Sequence, residues 1–249
     1  MIPAIDIEKL SVAFQSKTGA THALQELTLS VSPGIVFGFL GPNGAGKTTT
    51  IHVLLGFQAA TSGTAKIFGQ SVTDAVARHR IGYLSENPDA YSFLTGRELL
   101  TMAGNLFGLP PSEIKRRVNV LILETGLSFA ADRRIASYSR GMRQRICMAQ
   151  ALINDPDLLI LDEPTGGLDP LGRLEVRTLI TSLKERGKTV FFSSHELSEV
   201  ELICDRIAIL ANGRLLAEGP LGSIVPAGEN LERFFTNTVT RRTDLAAPL

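Results

Sequence analysis

Tryptophan is absent from the 249 residues, and cysteine occurs only twice, as Cys147 and Cys204. Two thiols allow no disulfide framework and no thiolate metal cluster, and they fit a reducing compartment. Neither sign of charge is in excess: 25 Lys and Arg balance 25 Asp and Glu, so the formal net charge is zero. A general nucleic-acid binder needs a surplus of cations to meet phosphate, so no nucleic-acid partner is expected. No apolar run approaches the roughly 18 residues of a membrane span. The opening MIPAIDIEKL lacks the basic-then-apolar layout of a signal peptide. Any membrane-spanning part is therefore expected on another chain. Internal repeats and low-complexity blocks are missing as well. What remains is 44% hydrophobic and 20% charged, the composition of an ordinary globular protein of one or two domains.

Ile5, Ile7, Leu10, Val12 and Phe14 alternate roughly, and Leu27, Leu29 and Val31 alternate strictly, with a turn at Ser32-Pro33-Gly34. The opening thus reads as antiparallel strands. The segments Ile35–Leu40, Leu158–Leu161, Val190–Phe192 and Ile207–Leu210 are nearly all apolar, like strands buried on both faces. Helical patterns separate them. Asp169-Pro170 is an N-cap followed by an N1 proline, Leu171, Leu174, Leu179, Ile180 and Leu183 mark a face, and Gly187 fits C′. Residues 96–154 hold no convincing buried strand. They offer a capping box at Thr95–Glu98, a break at Leu109-Pro110-Pro111-Ser112, and a second helix lined by Ile114, Val118, Leu121 and Ile122. The expectation is an α/β core with a largely parallel sheet, an N-terminal antiparallel β subdomain and a helical insert over about 96–154.

Gly41-Pro42-Asn43-Gly44-Ala45-Gly46-Lys47-Thr48 matches the phosphate-binding loop G-x-x-x-x-G-K-[ST] at every fixed position. A buried strand precedes it, and a helix with Ile51, Leu54 and Leu55 on its apolar face follows. Glycines let backbone N–H groups turn inward around phosphate, and the helix N-terminus adds positive potential. Lys47 would reach the β- and γ-phosphates and Thr48 would ligate Mg²⁺. Leu158–Leu161 runs into Asp162-Glu163. Adjacent strand residues point in different directions, so Asp162 can serve the Mg²⁺ shell while Glu163 polarises a water. In Ser137–Arg145, Ser139 is a candidate N-cap, and the arginines crowd a helix N-terminus whose dipole they oppose. That crowding suggests an anion or a partner surface.

Taken together, these segments resemble the ATP-binding cassette subunit of ABC transporters over roughly residues 4–220. The resemblance rests on the phosphate loop at 41–48, YSRGM at 138–142, LLILDEP at 158–164, GGLD at 166–169 and His195 in FFSSHEL. SYSRGMRQR is most similar to exporter-type ATPases paired with separate permease chains. The resemblance implies a phosphate-loop (P-loop) NTPase core, a cassette domain over 1–220 and a C-terminal tail over 221–249 with a short helix. It implies that Phe14 stacks on adenine and that Thr49 touches the α-phosphate. Ser139 and Gly141 would bind the γ-phosphate of ATP held by the opposing subunit. Asp169 would cross the dimer interface, and His195 would contact the γ-phosphate. Two positions depart from the common pattern: YSRGM stands for LSGGQ, so Arg140 replaces a glycine and Met142 a glutamine, and Glu86 stands where glutamine is usual. Glu86 would still supply an oxygen to Mg²⁺ or water. The other histidines, His22, His52 and His79, match no motif.

The implied function is that of an ATPase subunit, with ATP and Mg²⁺ as substrate and cofactor, peripheral on the cytoplasmic face of the membrane. It would dimerise head to tail, as a homodimer or a heterodimer, and drive a separate integral-membrane permease, with export favoured by the resemblance alone. Tyr91 and Phe93, in the segment Asn87–Leu94, are candidate permease contacts, against a local hydrophobic staple. Two other classes compete. A cassette ATPase of DNA repair or the ribosome tends to carry a long coiled coil or two cassettes in one chain. A GTPase would need an Asn-Lys-x-Asp segment, which the sequence lacks. In the tail, Leu231, Phe234 and Phe235 would form a short apolar helix face, and Arg241–Leu249 reads as frayed.

Overall fold

Strands β1 (Ile5–Ser16) and β2 (Gly19–Val31) pair antiparallel, from Ile5↔Val31 to Ser16↔Gly19. The alternation explains the pairing: Ile5, Ile7, Leu10 and Val12 are buried with Leu27, Leu29 and Val31. Register shifts along β1 accompany left-handed backbone at Lys9 and Glu26, as in β-bulges. Strand β3 (Val36–Leu40) is buried along its whole length and leads into helix α1 (Lys47–Leu54). Strands β4 (Ser62–Ile67) and β5 (Gln70–Ser71) extend the antiparallel sheet in the order β2-β1-β4-β5, and α2 (Ala75–Arg78) follows. This computed structural model describes residues 2–16, 19–226 and 228–243. The chain divides into two compact units, Met1–Arg78 with Phe191–Leu249, and His79–Val190.

The second unit begins with strand β6 (Ile81–Leu84). Helix α3 (Gly96–Leu106) starts at the expected capping box, with the Thr95 hydroxyl accepting from the Glu98 N–H and the Glu98 carboxylate accepting from the Thr95 N–H. Helix α4 (Pro111–Glu124) buries Ile114, Val118, Leu121 and Ile122 as one stripe. Helix α5 (Arg140–Ala151) is capped by Ser139, whose hydroxyl accepts from Met142 N–H at 3.2 Å. Strand β7 (Leu158–Asp162), fully buried, pairs parallel with β6 from Ile81↔Leu158 to Leu84↔Leu161.

Helix α6 (Pro170–Glu185) is capped by Asp169 as expected, but its buried face differs from the predicted one. Gly172, Val176, Leu179, Ile180 and Leu183 are buried, while Leu171 is 64% and Leu174 50% exposed. At about 100° per residue, positions 172, 176, 179, 180 and 183 fall on one stripe, and 171 and 174 fall off it. Strand β8 (Thr189–Ser194) begins in this unit and ends in the first.

In the first unit, α7 (Leu197–Ile203) and strand β9 (Arg206–Ala211) follow. Strand β9 pairs parallel with β3, from Phe37↔Arg206 to Leu40↔Ile209. Strand β10 (Arg214–Pro220) returns antiparallel through Asn212-Gly213, both left-handed, as a two-residue hairpin requires. The Phe191 ring stacks on Phe37 with centroids 5.8 Å apart, and tilts against Phe39 at 5.2 Å. Helices α8 (Leu221–Ile224) and α9 (Leu231–Thr243) end the described chain. Leu231 is buried and its N–H donates to the Glu201 carboxylate, while Phe234 and Phe235 are half-buried. Of the tail read as frayed, residues 241–243 are helical and 244–249 lie outside the described residues.

Candidate functional site

Between β3 and α1 the chain makes the tight turn that the glycine pattern requires. Gly44 and Gly46 have φ of 77° and 108°. At Gly46 a Cβ would lie 2.7 Å from both the Ala23 carbonyl oxygen and Leu24 Cδ2, so the site needs glycine for space as well as for conformation. The Ala45 N–H donates to the Pro42 carbonyl at 3.1 Å, and the Gly213 N–H donates to the Ala45 carbonyl at 2.9 Å. Buried Lys47 donates through Nζ to the Gly41 carbonyl at 2.7 Å and more weakly to Pro42 at 3.4 Å. Helix α1 has no side-chain cap and no acidic residue in its first turn. Its N-terminal partial positive charge is therefore left for an anion. Pro42, Asn43, Gly44 and Thr48 are exposed around it, and Thr49 is half-buried.

Phe14 lies on β1 opposite Thr21 and is 43% exposed. It is therefore not a buried core aromatic. His195 follows the last residue of β8, the strand beside β3, and is exposed.

In the second unit, β7 delivers the two carboxylates. Asp162 is its last residue and is 2% exposed. Its negative charge, together with burial as the larger cause, pushes the Tyr83 phenol up to about 12. Glu163 leaves the strand in the left-handed region, φ 49°, and is 8% exposed. A buried, non-glycine residue held there is uncommon, and such strain concentrates where function needs it. The Gly166 N–H donates to the Glu163 carbonyl at 3.0 Å and closes the turn. Asp169, exposed, spends its Oδ1 on the Gly172 N–H at 2.8 Å.

Ser139 and Gly141 sit at the start of α5, exposed and half-exposed. Tyr138 anchors that start: its hydroxyl donates to the Ala130 carbonyl at 2.8 Å, and burial raises its pKa. The crowded arginines turn to backbone carbonyls of the same unit. Arg140 donates to Gly166 at 3.0 Å, Arg143 to Tyr138 at 2.6 Å and Arg145 to Thr125 at 3.0 Å. Those acceptors offset the unfavourable position of cations at a helix N-terminus. Glu86 is exposed, two residues past β6. Tyr91 and Phe93 are 56% and 67% exposed with rings 5.8 Å apart, so neither is buried as a staple would be. Cys147 is buried, which drives its thiol up to about 11, a poor nucleophile.

Sequence reasoning missed Gln144 and the role of Arg140. Buried Gln144 donates to the Pro164 carbonyl at 2.9 Å. Gln144 carried one signal only, its i+4 spacing from Arg140 on one helix face.

A family model described as ABC transporter matches residues 24–166. An uncharacterized ABC transporter ATP-binding protein of Synechocystis is 49% identical over 85% of this chain and 60% of its own length. The Nod factor export ATP-binding protein I of Paraburkholderia xenovorans is 37% identical over 98% of this chain and 80% of its own. A solved structure described as an ATP-binding subunit of an ABC transporter superposes with a TM-score of 0.83 at 30% identity, covering 94% of this chain and 99% of that one. The chain spans about three fifths of the length of several curated relatives that it matches.

Proposed function

The chain belongs to the ABC transporter family of ATP-binding subunits, and from that premise we propose that it binds and hydrolyses ATP as one half of a dimer and thereby drives a separate membrane permease. Lys47 and the N–H groups of Gly44–Thr49 hold the phosphates, and Phe14 stacks on the adenine. Glu163 orients and deprotonates the attacking water, and His195 steadies the γ-phosphate. Ser139 and Gly141 act on the nucleotide of the opposing subunit, and Asp169 lies at the dimer contact. The observation that carries the reading is the uncapped N-terminus of α1 beneath a loop with left-handed Gly44 and Gly46, a cradle fit for phosphate.

Mg²⁺ favours one or two carboxylates together with phosphate oxygens and water, and hydroxyl and carboxylate are the donor types of the residues proposed for it. Thr48 and Asp162 would hold it, with Glu86 as a further oxygen. The ion would supply charge neutralisation at the β- and γ-phosphates.

Among the described residues no helix is long and apolar enough to cross a membrane; the proposed place is peripheral, on the cytoplasmic face, against the permease. Export is the favoured direction because a relative matched over nearly the whole chain is named for Nod factor export. The test is Glu163→Gln. It should bind ATP as the parent does and lose roughly 10²–10⁴-fold in turnover. Unchanged steady-state hydrolysis would remove Glu163 from this role.

A further inference from the structure

Arg140 occupies the signature position where the family's common pattern has glycine, and the structure gives it a specific task. It is the first residue of α5, where a cation opposes the helix dipole. Its guanidinium leaves the helix and donates through Nη2 to the Gly166 carbonyl at 3.0 Å. One turn further on, buried Gln144 donates to the Pro164 carbonyl at 2.9 Å. Residues i and i+4 share a helix face, so one side of α5 reaches the turn after Glu163 at two points. Three further carbonyls of that turn are also bonded. Glu163 accepts from Gly166 N–H at 3.0 Å, Thr165 from Leu168 N–H at 3.3 Å, and Leu168 from Arg173 Nε at 3.1 Å.

Gly167 shows how closely the guanidinium is seated. Its φ is 65°, and a Cβ added there would run into Arg140 Cζ and both terminal nitrogens. The glycine leaves the space that the arginine fills. Gly166, whose carbonyl Arg140 holds, is also the residue whose N–H closes the Glu163 turn. Glu163 is left-handed, a conformation that persists only where the surroundings impose it.

We propose that Arg140 is a positioning residue for hydrolysis: through the Gly166 carbonyl its guanidinium holds the Glu163–Asp169 turn in the geometry that hydrolysis needs. The inference rests on the reading of Glu163 as the residue that activates water. Arg140 touches neither nucleotide nor water in this role. A glycine at position 140 leaves the turn without that tie, and lysine restores one of its donors.

The experiment uses the full chain and the variants Arg140→Ala and Arg140→Lys. Amide hydrogen exchange over residues 163–169, without nucleotide, reads the tie directly, and steady-state ATP hydrolysis reads its consequence. Arg140→Ala should speed exchange at Gly166 and lower kcat roughly three- to tenfold, the scale of one charge-assisted hydrogen bond near the surface. KM for ATP should stay within about twofold, since in this role Arg140 itself makes no contact with the nucleotide. Arg140→Lys should recover most of both. Gly167→Ala should cost more activity in the parent than in an Arg140→Gly background, where the clash is gone and only the strained φ remains. Unchanged exchange in Arg140→Ala would overturn the proposal. So would a raised KM at constant kcat, which would place Arg140 on the nucleotide, or an equal cost of Gly167→Ala in both backgrounds. If the parent chain hydrolyses no ATP, the ATPase reading fails, and the exchange result still decides the tie.

Discussion

Lys47 turns its ammonium group back onto the loop that carries it, with Nζ 2.7 Å from the Gly41 carbonyl oxygen. A buried ammonium requires acceptors, and the loop supplies them at Gly41 and Pro42. The side chain is thus folded under the turn proposed to hold phosphate. Lys47→Ala should weaken ATP binding by roughly 10–100-fold, as expected for charge-assisted bonds to phosphate of about 1.5–3 kcal/mol. Nucleotide titration by fluorescence or calorimetry measures it. An affinity equal to that of the parent would place the triphosphate elsewhere.

Glu163 combines its proposed role in hydrolysis with a strained backbone. A left-handed L-residue costs about 1–2 kcal/mol, and glycine adopts φ 49° without that cost. Glu163→Gly should therefore abolish hydrolysis while Tm stays level or rises by up to about 4 °C. Thermal unfolding beside an ATPase assay decides it. A clear fall in Tm would show that the side chain's own contacts outweigh the backbone relief.

The composite-site proposal predicts complementation. Lys47→Ala and Ser139→Arg chains, each inactive alone, form one intact site and one doubly damaged site when mixed. Partial hydrolysis should appear on mixing, up to about half of the parent rate per heterodimer, because one of two sites is whole. Heterodimers that form and stay inactive would end the shared-site reading.

Glu86 is exposed just past β6, so its carboxylate is accessible to solvent and to a ligand. Glu86→Gln keeps an oxygen at the same reach and should retain most activity. Glu86→Ala should lower both basal and permease-stimulated hydrolysis, by roughly tenfold or more for a lost ligand. ATPase rates with and without the permease at saturating Mg²⁺ separate the two. An alanine variant that matches the parent in both conditions would leave Glu86 an ordinary surface carboxylate.

The parts legible in the sequence are those that local chemistry enforces. The capping box at Thr95–Glu98, the caps at Ser139 and Asp169 and the buried run Leu158–Leu161 each depend on residues within a few positions of one another. The hairpin at Asn212-Gly213 belongs with them, although its two-residue signal went unused. The phosphate loop was legible for the same reason, because its glycines, lysine and threonine act through one continuous turn.

Which face of a helix is buried, and where a long side chain ends, follow from what packs against them. Leu171 and Leu174 read as core and are exposed, because the neighbours of α6 select the stripe through Val176 and Leu183. The arginines of SYSRGMRQR read as an anion or partner surface. Within the chain their guanidiniums reach the carbonyls of Gly166, Tyr138 and Thr125, and Arg145 also pairs with the Glu175 carboxylate, contacts that the sequence did not indicate. The left-handed backbone of Glu163 had no local signature, since glutamate does not favour it. The sequence alone determined the motifs, the caps and the strands, because short-range sterics and hydrogen bonding act along the chain. Tertiary structure alone decided that α5 ties down the turn after Glu163, because Arg140 and Gly166 are 26 residues apart and only packing brings that carbonyl within reach of the guanidinium.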